Sequence, residues 1–495
     1  MLPTHILDRI SRKARVILFF PVLFVTSFLT AQERECFLIM VGPEASATGE
    51  VLLAHNNDLT GREASFLVKV PAGEAMQLPV KDLPDTAPAC SMLVLQTYKG
   101  FAEGDAVAVN EYGVAIAGGV SLKQDRNARA EEIDPLIAGG LGGGVRYYAL
   151  QHARTARECV KIIGALYDRY GCAYPSGVGI ADAREMWYLE SGGGHMWAAM
   201  QIPPNAFFLA ANSYNLPMVD VQDTLYFLCS APLRELALRE GYGDGRLFPF
   251  ADWFGGGYRE RTGNNRYNLL RLQRAAILLG SLSAGTPGDT FRPPFHLPRH
   301  KISLEQCFGV LRDYYDGTRY NIFSPANRSH PARAIADAGC VHSSVITLTP
   351  GRPADYGAVI WTGLGPSLTT VYVPVFFGVE SLPPGYDQAS PEPSEMSAFW
   401  IFRQLADLTW RDYPALTRSW QQQRRQFEEQ EIRMVPLITR KARQLAEQSP
   451  EKMRQYLDER SQHYAFEAVR LASEKLYQLK QEGTRSNPFV APQRQ

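Results

Sequence analysis

The chain has no excess of charge of either sign. Lys and Arg number 51 and Asp and Glu number 51, so the formal net charge is zero. A nucleic-acid partner usually shows as a basic patch or a high pI, and nothing in this balance points to one. Beyond the first thirty residues no run approaches the roughly 20 apolar residues that span a bilayer. The common catalytic signatures are also missing. There is no Gly-x-Ser-x-Gly elbow for a serine hydrolase and no His-Glu-x-x-His for a zinc peptidase. Gly139–Gly144 is glycine-rich, but no Lys-Ser/Thr follows, so it reads as a turn and not as a phosphate loop. His296 and His300 have i,i+4 spacing, yet Pro298 separates them in loop-like surroundings. No cysteine pair has metal-site spacing, and no metal or organic cofactor is implied. The chain shows no internal repeat.

What is present is ordinary globular material, 45% apolar and 21% charged. A length of 495 residues suits two or three domains, or one large domain with an appendage. The start is distinct. Arg9, Arg12, Lys13 and Arg15 precede an uncharged, apolar run from Val16 to Ala31 that ends in small residues. This reads as a secretory signal peptide over 1–31. An uncleaved anchor is the alternative, against which stand the short run and Pro21. The expectation is an exported protein, periplasmic or extracellular, with no stable membrane span after cleavage. An oxidising compartment permits disulfides among the seven cysteines, and an odd count leaves at least one thiol over. Several, such as Cys159, read equally well as small buried hydrophobes.

From Cys36 the pattern turns to strands. Two runs, 36–41 and 49–54, flank turn chemistry and predict a hairpin. Further strands are predicted over 91–96, 105–109, 114–117, 177–181, 186–190, 195–200, 206–211, 343–348, 358–362 and 370–376. Ala153, Ala156, Val160, Ile163 and Tyr167 keep helical spacing within a helix predicted over 150–170, which Gly171 stops. Residues 267–279 also read as helix. Strands in bunches with helices between them indicate an α+β fold. The Pro-rich stretch 382–393 reads as a connecting loop. It divides a main domain (36–390) from a helical segment (391–482) expected to break near Pro414, Pro436 and Pro450; residues 483–495 read as a disordered tail.

Cys36 stands five residues after Ala31, at the head of the first strand. If a short propeptide, 32–35, is removed, Cys36 carries a thiol and a free α-amine together. An amine with an ordinary pKa near 7.7–8.0 takes the thiol proton and later returns it to a leaving amine, so no separate base is needed. A lipid-anchored cysteine would need small or apolar residues before it, and Arg34-Glu35 stand there. A first-strand cysteine in a disulfide remains the structural alternative.

Cys36-x5-Gly42 followed by Gly49-x4-Ala54-His-Asn-Asn-Asp58 resembles the opening of the dipeptidase and secernin family of N-terminal-nucleophile cysteine peptidases, relatives of bile-salt hydrolases and penicillin V acylases. The resemblance continues through Asn110-Glu-Tyr-Gly-Val-Ala-Ile116, Ala153–Glu158, Ile180-Ala-Asp182 and Glu185-x-Trp187-x2-Glu190. It resumes in Gly192-Gly-Gly-His195-x-Trp197, Ala211-Asn212, Leu311–Thr318, His342-Ser-Ser344 and Trp361. It implies a four-layer αββα sandwich and peptide hydrolysis through a thioester on Cys36, with dipeptides or short peptides as substrates. By the same resemblance Asp58 holds the nucleophile's ammonium. Asn212 offers its side-chain N–H to the oxyanion, and a backbone N–H near Val120 is the second donor. His55 departs from the family, which often has Arg or Lys there; a histidine supplies that cation only partly at neutral pH. Implied substrate-facing positions are His55, Asn110, Val120, Glu190 and His195, of which Glu190 and His195 either recognise substrate or brace the sheet. Two other readings stay open: an amidase or acylase of the bile-salt hydrolase type, and a non-catalytic exported scaffold. A homo-oligomer is compatible with all three.

Overall fold

The computed structural model describes residues 35–80, 83, 88–98, 106–121, 126–255, 263–283, 295–327, 332–388 and 390–485. The expected signal peptide, all of the propeptide but Glu35, and residues 486–495 of the expected tail lie outside them, whereas residues 483–485 of that tail are the end of a helix. The first strands are β1 (Glu35–Val41), β2 (Val51–Asp58), β3 (Ser65–Val70), β4 (Met92–Thr97), β5 (Ala106–Asn110) and β6 (Ala115–Ser121). Helices α1 (Ala128–Ile133), α2 (Gly144–His152) and α3 (Ala156–Tyr170) follow. Next come β7 (Ser176–Ala181), β8 (Met186–Gly193), β9 (Met196–Ile202), β10 (Phe207–Ala210), β11 (Val219–Asp220) and β12 (Phe227–Cys229). Then α4 (Ala231–Glu240), β13 (Leu247–Phe248), α5 (Phe250–Gly255), α6 (Gly263–Leu278) and α7 (Leu304–Leu311) lead to β14 (Cys340–Leu348). The chain continues with α8 (Ala354–Gly357), β15 (Ala358–Leu364), β16 (Val373–Phe376), α9 (Ala398–Thr409), α10 (Tyr413–Leu416), α11 (Arg418–Ala446) and α12 (Pro450–Arg485).

Two antiparallel sheets result, one ordered β10-β1-β2-β14-β15-β16 and the other β12-β9-β8-β7-β6-β5-β4-β3. The period-2 alternation of side chains divides the eight-stranded sheet's residues between two cores. Leu93, Leu95, Val107 and Val109 join the core shared with β1 and β2, while Met92, Val94 and Ala108 join the core under α2 and α3. A strand such as Met-Leu-Val-Leu, apolar on both faces, is the pattern of a sheet covered on both sides. The six-stranded sheet is covered in turn by α7, α9, α11 and α12, whose Phe308, Phe399, Trp420 and Leu457 belong to its core. This α+β layering holds β1 and β2 against β6 at the centre of the molecule.

Three expectations change. The helix predicted over 150–170 is two helices, because Asn110 Nδ2 takes the carbonyls of Leu150 and Ala153. The chain is extended at Ala153, and Thr155 caps a new helix by accepting from the Glu158 N–H. Pro436 does not break a helix. It lies inside α11, where burial of Trp420, Ile438 and Ala442 along one stripe outweighs the ~3 kcal/mol usually lost to an interior proline. Pro414 and Pro450 do stand at helix starts, where the missing N–H has no role. The helices after 391 share the core of the six-stranded sheet, and the described residues between 35 and 485 form one compact unit. The seven cysteines are buried thiols with no disulfide among them.

Candidate active site

Cys36 is the second residue of β1 and is buried. Across the ladder it faces Asn57, as Leu38 faces His55. Cross-strand partners share a face. A Cβ on Gly179 of β7 would meet Met40 and Leu38, so the 36-38-40 face of β1 looks at the eight-stranded sheet. The thiol therefore lies between the sheets, with Sγ 3.8 Å from Asn57 Oδ1. The intervening Asn56 points the other way and donates to the carbonyls of Leu311 and Ile335.

The backbone N of Cys36 donates to Asn212 Oδ1 at 2.9 Å. Arg271 Nη2 donates to the same oxygen at 3.0 Å, and Arg271 Nη1 reaches the Cys36 carbonyl at 3.2 Å. Two donors on one atom fix which end of the amide is the oxygen. Asn212 Nδ2 is thereby turned away, buried, and meets no acceptor among the described residues. Asn268, one helical turn before Arg271 on α6, donates to the Asn212 carbonyl at 2.7 Å and accepts from Arg271 Nη2. Helix α6 thus clamps Asn212 by backbone and side chain together. It also sets a buried guanidinium beside residue 36, on the carbonyl oxygen of that residue.

His55 does not supply that charge. It is fully buried, and neither ring nitrogen meets a protein hydrogen-bond partner. Burial, then the nearby His342 and Arg146, hold its pKa well below the ordinary value, so it is neutral at physiological pH. The expectation of a partial cation there is corrected; the guanidinium that bonds residue 36 is that of Arg271. Asp58 pairs with Glu35 in the ladder, one step from Cys36. Its carboxylate lies 3.4 Å from Arg333 Nη2, and its negative charge, after burial, helps raise the pKa of Cys340.

Glu190 acts on the Asn212 loop. Its buried carboxylate accepts from the Asn215 N–H at 2.8 Å, the Leu216 N–H at 3.0 Å and Tyr188 Oη at 3.0 Å. Desolvation pushes its pKa up to about 7 despite these donors. Asn110 has no side-chain valence left for a substrate, contrary to expectation. Nδ2 is spent on Leu150 and Ala153, and Oδ1 accepts from the N–H groups of Tyr112 and Val114. His195 sits in the β8–β9 turn, a third exposed, with Nδ1 3.5 Å from Asp134. There it braces the turn; its contacts do not reach residue 36. Val120 follows a bulge that shifts the β6–β7 register between Ala117 and Val120. Val120 itself pairs with Gly177, so the positions the bulge leaves outside the β6–β7 ladder are Gly118 and Gly119. Among the described residues no His, Cys, Asp and Glu group has a metal-binding arrangement, and no helix is long and apolar enough to cross a membrane.

Arg271, Asn268 and Asn57 were not singled out from the sequence. The signal was there for two of them. Asn268 and Arg271 fall on the stripe that Leu272, Ala275 and Leu279 bury, where helical spacing calls for apolar residues.

A buried thiol, an oriented amide and a guanidinium gathered at a strand end are the equipment of a hydrolase, and comparison with known proteins makes the class a peptidase. The chain belongs to peptidase family C69, whose family model matches residues 35–426, from the first residue of β1 into α11. Curated relatives include a probable dipeptidase of Salmonella dublin, 27% identical over 71% of this chain and 83% of the relative. Dipeptidase A of Lactobacillus helveticus is 24% identical over 79% and 86%. The dipeptidase of Bifidobacterium longum is 25% identical over 75% and 76%.

Proposed function

We propose that this protein is an exported cysteine dipeptidase that works with Cys36 as its first residue. Loss of the signal peptide and then of residues 32–35 turns the Cys36 amide nitrogen into an amine that Asn212 Oδ1 already holds. One N–H stays on Asn212, and the lone pair takes the thiol proton. The thiolate then attacks the peptide carbonyl. The oxyanion accepts from Asn212 Nδ2 and from a backbone N–H at the Val120 bulge, a contribution of ~2.7–4 kcal/mol for one such donor. The C–N bond breaks as the ammonium at Cys36 protonates the leaving amine. Water, deprotonated by the same amine, hydrolyses the thioester and frees the thiol. The two stacked sheets with helices on both outer sides then serve as the αββα sandwich of N-terminal-nucleophile hydrolases. The names of the relatives support dipeptides as the substrate class.

The observation that carries this reading is the 2.9 Å bond from Cys36 N to Asn212 Oδ1 with Nδ2 left unengaged. Its test is the N-terminus of the exported protein, read by intact mass and terminal sequencing for the wild type and for Cys36→Ala. A wild-type chain beginning at Cys36 is expected, with the variant retaining 32–35 if processing is autocatalytic. A dipeptide-cleaving preparation that begins at Gln32 would sink the N-terminal-amine mechanism. Dipeptides and N-acyl amino acids offered side by side separate this activity from that of an acylase.

A further inference from the structure

A cavity of about 320 Å³ lies between α7 and α11, on the helical side of the six-stranded sheet and apart from Cys36. Its floor carries Arg424, which is only 7% exposed. Arg424 Nη1 donates to the Leu368 carbonyl, but Nε, itself sealed from solvent, meets no acceptor among the described residues. The carboxylate one turn along the helix, Glu428, is already committed. It takes both terminal nitrogens of Arg312, at 2.8 and 2.5 Å, and the Tyr372 N–H at 3.0 Å. Glu428 therefore pairs directly with Arg312 and acts on Arg424 only through space, and Arg424, which also bonds the Tyr413 side chain, makes no direct ion pair among the described residues. Such an unbalanced buried charge is unfavourable until an anion joins it. Burial, and then Arg312, press the Arg424 pKa down.

The mouth has the opposite sign. Glu305 and Glu429 line it without ion-pair partners among the described residues, beside the exposed Arg425. Between mouth and floor the wall is aromatic, built from Phe308, Tyr314 and Tyr413.

We propose that this cavity binds a free α-amino acid with an apolar side chain. The carboxylate sits on the Arg424 guanidinium, a charge-assisted contact. The ammonium faces Glu305 and Glu429, and the side chain lies against the aromatic wall. The volume is at the small end of ligand pockets, which favours a single amino acid over a longer peptide. The inference stands apart from the reading of the Cys36 site.

Gly309 offers a clean test. A Cβ there would meet no atom within 4 Å, and the residue lines the cavity. Gly309→Leu therefore fills the space without a backbone clash, and Arg424→Met removes the charge. L-Leucine, leucinamide and 4-methylpentanoate are titrated calorimetrically into the full-length wild-type protein and both variants, with circular dichroism as the check on folding. L-Leucine is expected to bind saturably to the wild type. The amide, without a carboxylate, and the acid, without an ammonium, should each bind about tenfold or more weakly. Both variants should lose the leucine heat while keeping the wild-type spectrum. No saturable leucine binding to the wild type overturns the proposal, as does leucine binding that survives in Gly309→Leu. If Arg424→Met does not fold, Gly309→Leu decides alone.

Discussion

Asn212→Asp separates the two jobs assigned to one side chain. The carboxylate keeps an oxygen where Oδ1 now stands, 2.9 Å from the Cys36 nitrogen and 3.0 Å from Arg271 Nη2. It also gains attraction to that guanidinium, so the loop stays in place. The Nδ2 donor is lost, and an acceptor with negative charge replaces it at the point where the oxyanion forms. Removing one such donor lowers kcat by about 10²–10³, and the added charge pushes the loss to the upper part of that range. KM changes little, because the ground-state carbonyl needs the donor less than the oxyanion does. Asn212→Ala loses the acceptor as well. It leaves Arg271 and the Cys36 nitrogen without their shared partner, so it should also lower stability by ~1–3 kcal/mol. The assay is steady-state dipeptide hydrolysis, with intact mass to establish that each variant begins at Cys36. An Asn212→Asp enzyme of that mass keeping more than about a tenth of wild-type kcat would refute the oxyanion role.

Three further outcomes follow from burial. Glu190 titrates near 7 in the fold against 4.5 when unperturbed. Between those values the native state holds a proton that the unfolded chain has released. Its contribution is therefore full below pH 4.5 and is lost as pH rises to about 7, by roughly 3 kcal/mol in all. Glu190→Gln should lower stability but flatten this slope, read from urea midpoints across the window; an unchanged slope would point to another group. His55 is held neutral with a pKa below 6.5, so its contribution is present above 6.5 and lost as pH falls. His55→Phe should make acid unfolding shallower and leave kcat within a few-fold of wild type; a large loss of kcat would restore a catalytic part for this residue. In Gly164→Ala the new Cβ would lie 2.2 Å from Trp197 Cζ2. Overpacking of ~1–3 kcal/mol should outweigh the ~1 kcal/mol gain in helix propensity, and a higher melting temperature would show the ring yielding freely.

Much of the frame was legible because it is local. The β1–β2 hairpin follows from two apolar runs around turn residues, and α3 from the spacing of Cys159, Val160, Ile163 and Tyr167 with Gly171 behind them. The thiol-plus-amine chemistry proposed for Cys36 was read from its place after a run expected to be an export signal. Asp58 and Asn212 were singled out only through a family pattern, since neither residue type announces a role by itself. The start of α3 was misjudged because the carbonyls that end α2 are taken by Asn110, some forty residues earlier. Asn110 was given to the substrate for a related reason: a polar residue beside a turn looks available until its partners are known.

Composition and periodicity thus determined the α+β class and the strand that carries Cys36. Tertiary structure decided the charges and orientations around it. Asn212 lies 176 residues from Cys36 and Arg271 lies 235 residues from it, separations that no local pattern spans. Only packing determines that the histidine of β2 is sealed from solvent and stays neutral, that the guanidinium bonding residue 36 comes from α6, and that Glu190 is spent on a loop. The physical reason is that a hydrogen bond or a pKa belongs to a pair of groups and the medium between them. The sequence names the groups, and the fold chooses the pair and the medium.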